Sequence, residues 1–119
     1  MGNPFVHVEL MSTDVNKSKA FYGQLFDWTL EDTPMPAGAY TMIKVGSGTG
    51  GGIMHNPISD APSSWVPYVE VADVKAATEK AEKLGAKAMK EITEVPNMGW
   101  FSIITDPTGS MLGLWQTKK

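Results

Sequence analysis

Phe5-Val6-His7-Val8-Glu9-Leu10 alternates apolar and polar residues, as a strand with one buried face must, and stops at Ser12-Thr13-Asp14. A related run, Trp65-Val66-Pro67-Tyr68-Val69-Glu70-Val71, stops at Asp73. Asp14 and Asp73 stand 59 residues apart, and the same offset sets Leu25 on Leu84, Thr49 on Thr108 and Gly50 on Gly109 without a gap. One supersecondary unit is therefore used twice. In the first copy Val6, Val8 and Leu10 share one face, while His7, Glu9 and Met11 share the other; one face is core and the other polar.

Working outward, Asp14 is placed to cap a helix whose Val15, Ser18, Tyr22 and Leu25 recur at helical spacing. Asp73 caps a second, with Val74, Ala77, Ala81 and Leu84 on its inner face and Gly85 as its stop. After the first helix, strands are expected at Trp28 to Leu30, Tyr40 to Val45 and Gly52 to His55, with Pro34 to Gly38 as a loop. After the second they are expected at Lys87 to Glu91, Trp100 to Thr105 and Met111 to Trp115. Val95 to Gly99 reads as a loop and Asp106-Pro107-Thr108-Gly109 as a turn. The stretch Gly48-Thr49-Gly50-Gly51-Gly52 lacks the Lys and Ser/Thr of a phosphate-binding loop and also reads as a turn.

The fold class is thus α+β: two tandem βαβββ modules, residues 4–56 and 64–117, joined by a linker at 57–63. Two such modules pair most simply about a pseudo-twofold axis, as a half-open mixed-sheet barrel around a groove. That groove is the expected ligand site.

The chain has 119 residues, enough for one domain with a sizeable core. A net charge of −3 with no basic cluster argues against nucleic acid. The absence of cysteine excludes disulfides and thiolate chemistry and fits a reducing compartment. No apolar run reaches the length of about 18 residues that a membrane span needs, and no secretory leader pattern opens the sequence. A cytoplasmic protein with no membrane partner is expected.

Several stretches together resemble a known family. They are His7-Val8-Glu9-Leu10, Asp14 through Ala20-Phe21-Tyr22 to Leu25-Phe26-Asp27-Trp28, Val69 to Val74, Leu84-Gly85-Ala86 and Asp106 to Ser110. The resemblance is to the vicinal oxygen chelate superfamily of lactoylglutathione lyase, bleomycin-resistance proteins and extradiol dioxygenases, and within it to small proteins described as related to lactoylglutathione lyase. It covers nearly the whole chain. It implies a homodimer and a divalent ion held by His, Glu or Gln on the first and last strand of each module. Those four positions map to His7, Met54, Val66 and Gly113, of which only His7 has a suitable donor. No cofactor is therefore expected, and a divalent metal is disfavoured. A one-residue register slip would turn His55 inward in place of Met54 and, with Glu9, offer an alternative donor set.

Alternation puts His7, Glu9 and Tyr68 on the groove face as catalytic candidates, His7 and Glu9 as an acid–base pair and Tyr68 as a hydroxyl donor. Met54, Glu70, Trp100, Met111 and Trp115 are the ligand-binding candidates, while Trp28 and Trp65 are assigned to core. Loops around Pro36 and Pro96 are placed to flank the groove. Two readings follow. The first is a glyoxalase- or bleomycin-resistance-like protein that binds a small organic molecule in the inter-module groove without the full metal site. The alternative is a metal-free or atypical-metal lyase or isomerase acting on a small carbonyl or oxygenated substrate.

Overall fold

The computed structural model describes residues 2–35, 38–58 and 60–119. Its elements are β1 (Phe5–Ser12), α1 (Val15–Leu25), β2 (Thr29–Met35), β3 (Gly38–Lys44), β4 (Gly51–His55), β5 (Ser64–Glu70), α2 (Val74–Lys83), β6 (Lys87–Val95), β7 (Gly99–Thr105) and β8 (Met111–Thr117). They form two compact units, His7–Val66 and Pro67–Lys119 with Met1–Val6. In the first unit the strands lie in the order β2-β3-β4-β1 and in the second β5-β8-β7-β6. Each unit has one parallel pair, β1 with β4 or β5 with β8, and is otherwise antiparallel. This is the βαβββ unit twice, in an α+β fold. Among the described residues no helix is long and apolar enough to cross a membrane.

The aspartates act as expected. Asp14 Oδ1 accepts the Lys17 backbone N–H at 3.1 Å, and Asp73 Oδ1 accepts that of Ala76 at 3.0 Å, so each satisfies one of the donors a helix start leaves open. In the first unit Leu10, Ile43 and Ile53 form the buried centre, and Val15, Tyr22, Trp28, Leu30 and Val45 pack against it. Val74, Ile104 and Leu114 do the same in the second, with Ala77 and Ala81 of α2. Each fully buried aliphatic side chain contributes about 1.5–3 kcal/mol relative to exposure.

The inner helix faces are shorter than the spacing suggests. Leu25 is 55% exposed and Leu84 70% exposed. Both stand where a helix ends; Leu84 is the C-cap of α2 at φ −90° and ψ 4°, outside the rotation that carries Val74, Ala77 and Ala81 onto the sheet. Tyr22 and Trp28 pack on the core, but Trp65, assigned to core from sequence, is 38% exposed and meets Tyr22 edge-on at 5.3 Å.

β2 and β6 run further than apolar patterning indicates, and along β2 polar side chains pair across to β3. Lys44 Nζ bonds Glu31 Oε2 at 2.9 Å and Thr41 Oγ1 donates to Asp32 Oδ1 at 2.7 Å. Pro34 thus belongs to β2; Pro36, on which a flanking loop was centred, lies outside the described residues. Val95 to Gly99 closes as a tight hairpin turn, with Asn97 at φ 66° and the Met98 N–H donating to the Val95 carbonyl. Between β4 and β5, Asn56 ties the connection to itself, its Nδ2 donating to the Ala61 and Pro62 carbonyls and its Oδ1 accepting from Ile58 N–H.

Candidate functional site

In the first unit, the register sorts side chains cleanly. Leu10, Thr41, Ile43 and Ile53 point toward α1; His7, Glu9, Met11, Tyr40, Met42, Gly52 and Met54 occupy the other face. Pairing of Glu9 with Gly52 and of Met11 with Met54 is regular, so β4 does not slip; His55, the alternative inward residue, is exposed on the face opposite Met54.

On the helix-distal face three polar side chains converge. His7 Nε2 lies 2.6 Å from the Tyr40 hydroxyl oxygen, with the two rings stacked at 6.3 Å and 25°. The Tyr40 hydroxyl also hydrogen-bonds the carboxylate of Glu9, a residue only 6% exposed. Burial first, then the charge of Glu9 and that hydrogen bond, hold the phenol protonated far above its ordinary range. A phenol has one proton to give. A phenol that gives it to the Glu9 side chain accepts from His7 Nε2–H, and one that gives it to His7 Nε2 does not, so the imidazole tautomer decides the direction of the 2.6 Å bond. Burial also lowers the His7 pKa from its ordinary 6.5, keeping the ring neutral at pH 7.

This burial has a measurable sign. Because folding depresses the His7 pKa, the unfolded chain takes up a proton that the folded chain refuses as pH falls below about 6.5. Stability is complete above that value, declines below it, and stops declining once pH passes the folded-state value. Tm measured from pH 7.5 to 5 is expected to fall, and His7→Gln to flatten the slope. Asp32, whose pKa is lowered by its bonds to Lys19 and Thr41, acts only around and below its ordinary 3.8 and so in a separate window.

In the second unit, Tyr68, Glu70, Met111 and Trp115 share the face away from α2, where Tyr68 pairs with Gly113 and Glu70 with Trp115. Tyr68 is 3% exposed and meets Phe101 edge-on at 6.0 Å. Trp115 Nε1 donates to Thr117 Oγ1, which donates to Glu70 Oε2 at 2.9 Å. Trp100 belongs elsewhere. It faces α2 beside Val74, Ile104 and Leu114, with Lys118 Nζ 5.3 Å from its ring centre, because β7 alternation opposes it to Phe101.

The four positions mapped to the family's metal do not fit one. His7 Nε2 is engaged with Tyr40, Met54 offers a thioether, Val66 is a fully buried aliphatic, and Gly113 has no side chain. A Cβ at Gly113 would collide with the Tyr68 ring, so a longer ligand side chain has no room there. Among the described residues no three His, Cys, Asp or Glu side chains gather as a metal site.

Sequence reasoning missed Tyr40. It lies 33 residues from His7 and was read only as the opening residue of a strand; the available signal was its place on the same alternating face as Met42.

The profile of the Glyoxalase/Bleomycin resistance protein/Dioxygenase superfamily matches residues 5–114. CFP32 of Mycobacterium bovis, named as a glyoxylase candidate, is 34% identical over 117 residues, covering 94% of this chain and 45% of that protein. The anthracycline biosynthesis protein DnrV of Streptomyces peucetius is 26% identical over 123 residues, covering 91% of this chain and 45% of its own length. The chain thus spans about half the length of the curated relatives it matches. Among solved structures, methylmalonyl-CoA epimerase from Mycobacterium tuberculosis superimposes with a TM-score of 0.69 at 14% identity, covering 97% of this chain and 88% of that one, a likeness of fold.

Proposed function

The chain belongs to the glyoxalase/bleomycin resistance protein/dioxygenase superfamily, and from that premise we propose that it binds a small, uncharged, largely apolar molecule carrying a hydroxyl or carbonyl group, without the family's divalent ion. The observation that carries this reading is the His7–Tyr40–Glu9 chain, half-buried at His7 and Tyr40 and buried at Glu9. It sets hydrogen-bonding groups on a face otherwise supplied by Met11, Met42 and Met54, whose thioethers adapt to an apolar ligand. Met111, Trp115, Tyr68 and Glu70 are the second unit's proposed ligand-facing residues. Likeness to proteins named for anthracycline biosynthesis supports an aromatic ligand body.

Three probes of one shape test it: 2-naphthol, naphthalene and 2-naphthoate, titrated by fluorescence. 2-Naphthol is expected to bind about tenfold more tightly than naphthalene, the worth of one hydrogen bond in a buried site, and more tightly still than the anion. Equal affinity for all three, or none, refutes the proposal.

A second reading has its own support. A neutral imidazole beside a carboxylate on one strand face can move a proton, so His7 and Glu9 remain the acid–base pair proposed for a lyase or isomerase, with Tyr68 as a proposed donor. Turnover of a small carbonyl substrate that His7→Ala abolishes while binding persists would establish it over sequestration.

A further inference from the structure

Gly52 sits in the middle of the first unit's sheet, paired with Glu9 on one side and Met42 on the other. A buried strand position of this kind favours a β-branched residue. Its glycine has no conformational reason, since its φ lies outside the left-handed region that Gly46 and Gly48 adopt at 100° and 89°. The reason is space. A Cβ at Gly52 would collide with the Tyr40 hydroxyl oxygen and with ring atoms Cζ and Cε2. The phenol head therefore fills the volume a side chain would have taken.

We infer that Gly52 is a positioning residue of the ligand site: its missing side chain is the seat from which the Tyr40 hydroxyl reaches both His7 Nε2, at 2.6 Å, and Glu9. Any side chain at 52 displaces the hydroxyl from its partners and breaks the chain at its middle member. The obstacle is the end of a side chain that can rotate, so the strand accommodates alanine by expelling Tyr40. The consequence for ligand rests on the function proposed above; the seating itself does not.

The seating is tested without ligand. In protein labelled with 13C at the tyrosine ring, Gly52→Ala is expected to move the Tyr40 signal toward that of a solvent-exposed phenol while Tyr22 and Tyr68 stay in place. Gly52→Ala is also expected to lower Tm by several degrees in the wild-type background and by less than about 2 °C in a Tyr40→Leu background, because coupled residues are not additive. An unmoved Tyr40 signal, or an equal Tm loss in both backgrounds, overturns the inference. Where Gly52→Ala alone does not fold, the double variant must fold like Tyr40→Leu; its failure to do so also overturns it. With 2-naphthol as probe, Gly52→Ala and Tyr40→Phe are each expected to lose about tenfold in affinity. Absence of 2-naphthol binding to the wild-type chain refutes the proposed function, while the spectra and Tm values still decide the seating.

Discussion

Alanine at position 51 is expected to destabilise the folded chain by about 3 kcal/mol, the upper end of what overpacking a buried position costs. A Cβ there would collide with the Val8 carbonyl oxygen, and Val8 is its register partner across the parallel β1–β4 pair. The obstacle is backbone, which has no rotamer to change. Val8 N–H also donates to the Gly50 carbonyl at 3.1 Å, so moving β1 outward to admit a methyl group weakens the ladder at the point where it starts. Position 52 differs by one residue and fails in another way: there a flexible side chain yields and the site is lost before the sheet. Gly46 and Gly48 differ again, with open space around them and positive φ, so that alanine costs only the backbone strain of about 1–2 kcal/mol. Urea unfolding of the three classes, at unchanged m-value, measures the ranking. A loss below about 1 kcal/mol for Gly51→Ala contradicts the close approach of the two parallel strands.

These glycines also mark where the sequence stops being readable. The 59-residue offset, both aspartate caps, the stop at Gly85 and the sidedness of β1 are local properties, set by turn chemistry and by a period of two or of 3.6. All could be read from neighbouring residues. The run from Gly48 to Gly52 reads locally as a turn with the strand starting at its last residue, yet Gly51 also belongs to β4, and what Gly51 and Gly52 make room for, Val8 and Tyr40, is distant in the chain. Tyr40 joins the site for the same non-local reason. The polar lengths of β2 and β6 depend on partners such as Lys44 for Glu31 and Lys118 for Glu94, which apolar patterning does not register. Trp100 was named a ligand-binding candidate from its strand alone, without a face; alternation along β7, anchored on buried Ile104, puts it beside α2. Leu25 and Leu84 were read onto inner helix faces but are exposed, because periodicity carries no account of how the last turn opens.

Glu9→Gln is expected to abolish the charge selectivity of the site, raising affinity for 2-naphthoate about 100-fold while changing that for 2-naphthol less than about threefold. Among the described residues of the first unit's helix-distal face Glu9 supplies the buried carboxyl group: His7 is kept neutral by burial, and the exposed Lys44 is paired with Glu31 at 2.9 Å. A ligand carboxylate about 6 Å from that charge, at an effective dielectric of about 20, meets roughly 3 kcal/mol of repulsion, which is the factor of about 100. Glutamine preserves shape and keeps an acceptor for the Tyr40 hydroxyl, so the His7–Tyr40 bond that receives the neutral ligand survives. The substitution thus separates charge from hydrogen bonding, which Glu9→Ala would confound by opening a cavity. Two outcomes bear on the proposal in different ways. Continued exclusion of 2-naphthoate removes Glu9 as the source of the selectivity, while the preference for the uncharged ligand itself stands. A large loss of 2-naphthol instead makes the carboxylate itself the acceptor of the ligand hydroxyl, and the roles of Glu9 and Tyr40 at the site are then exchanged.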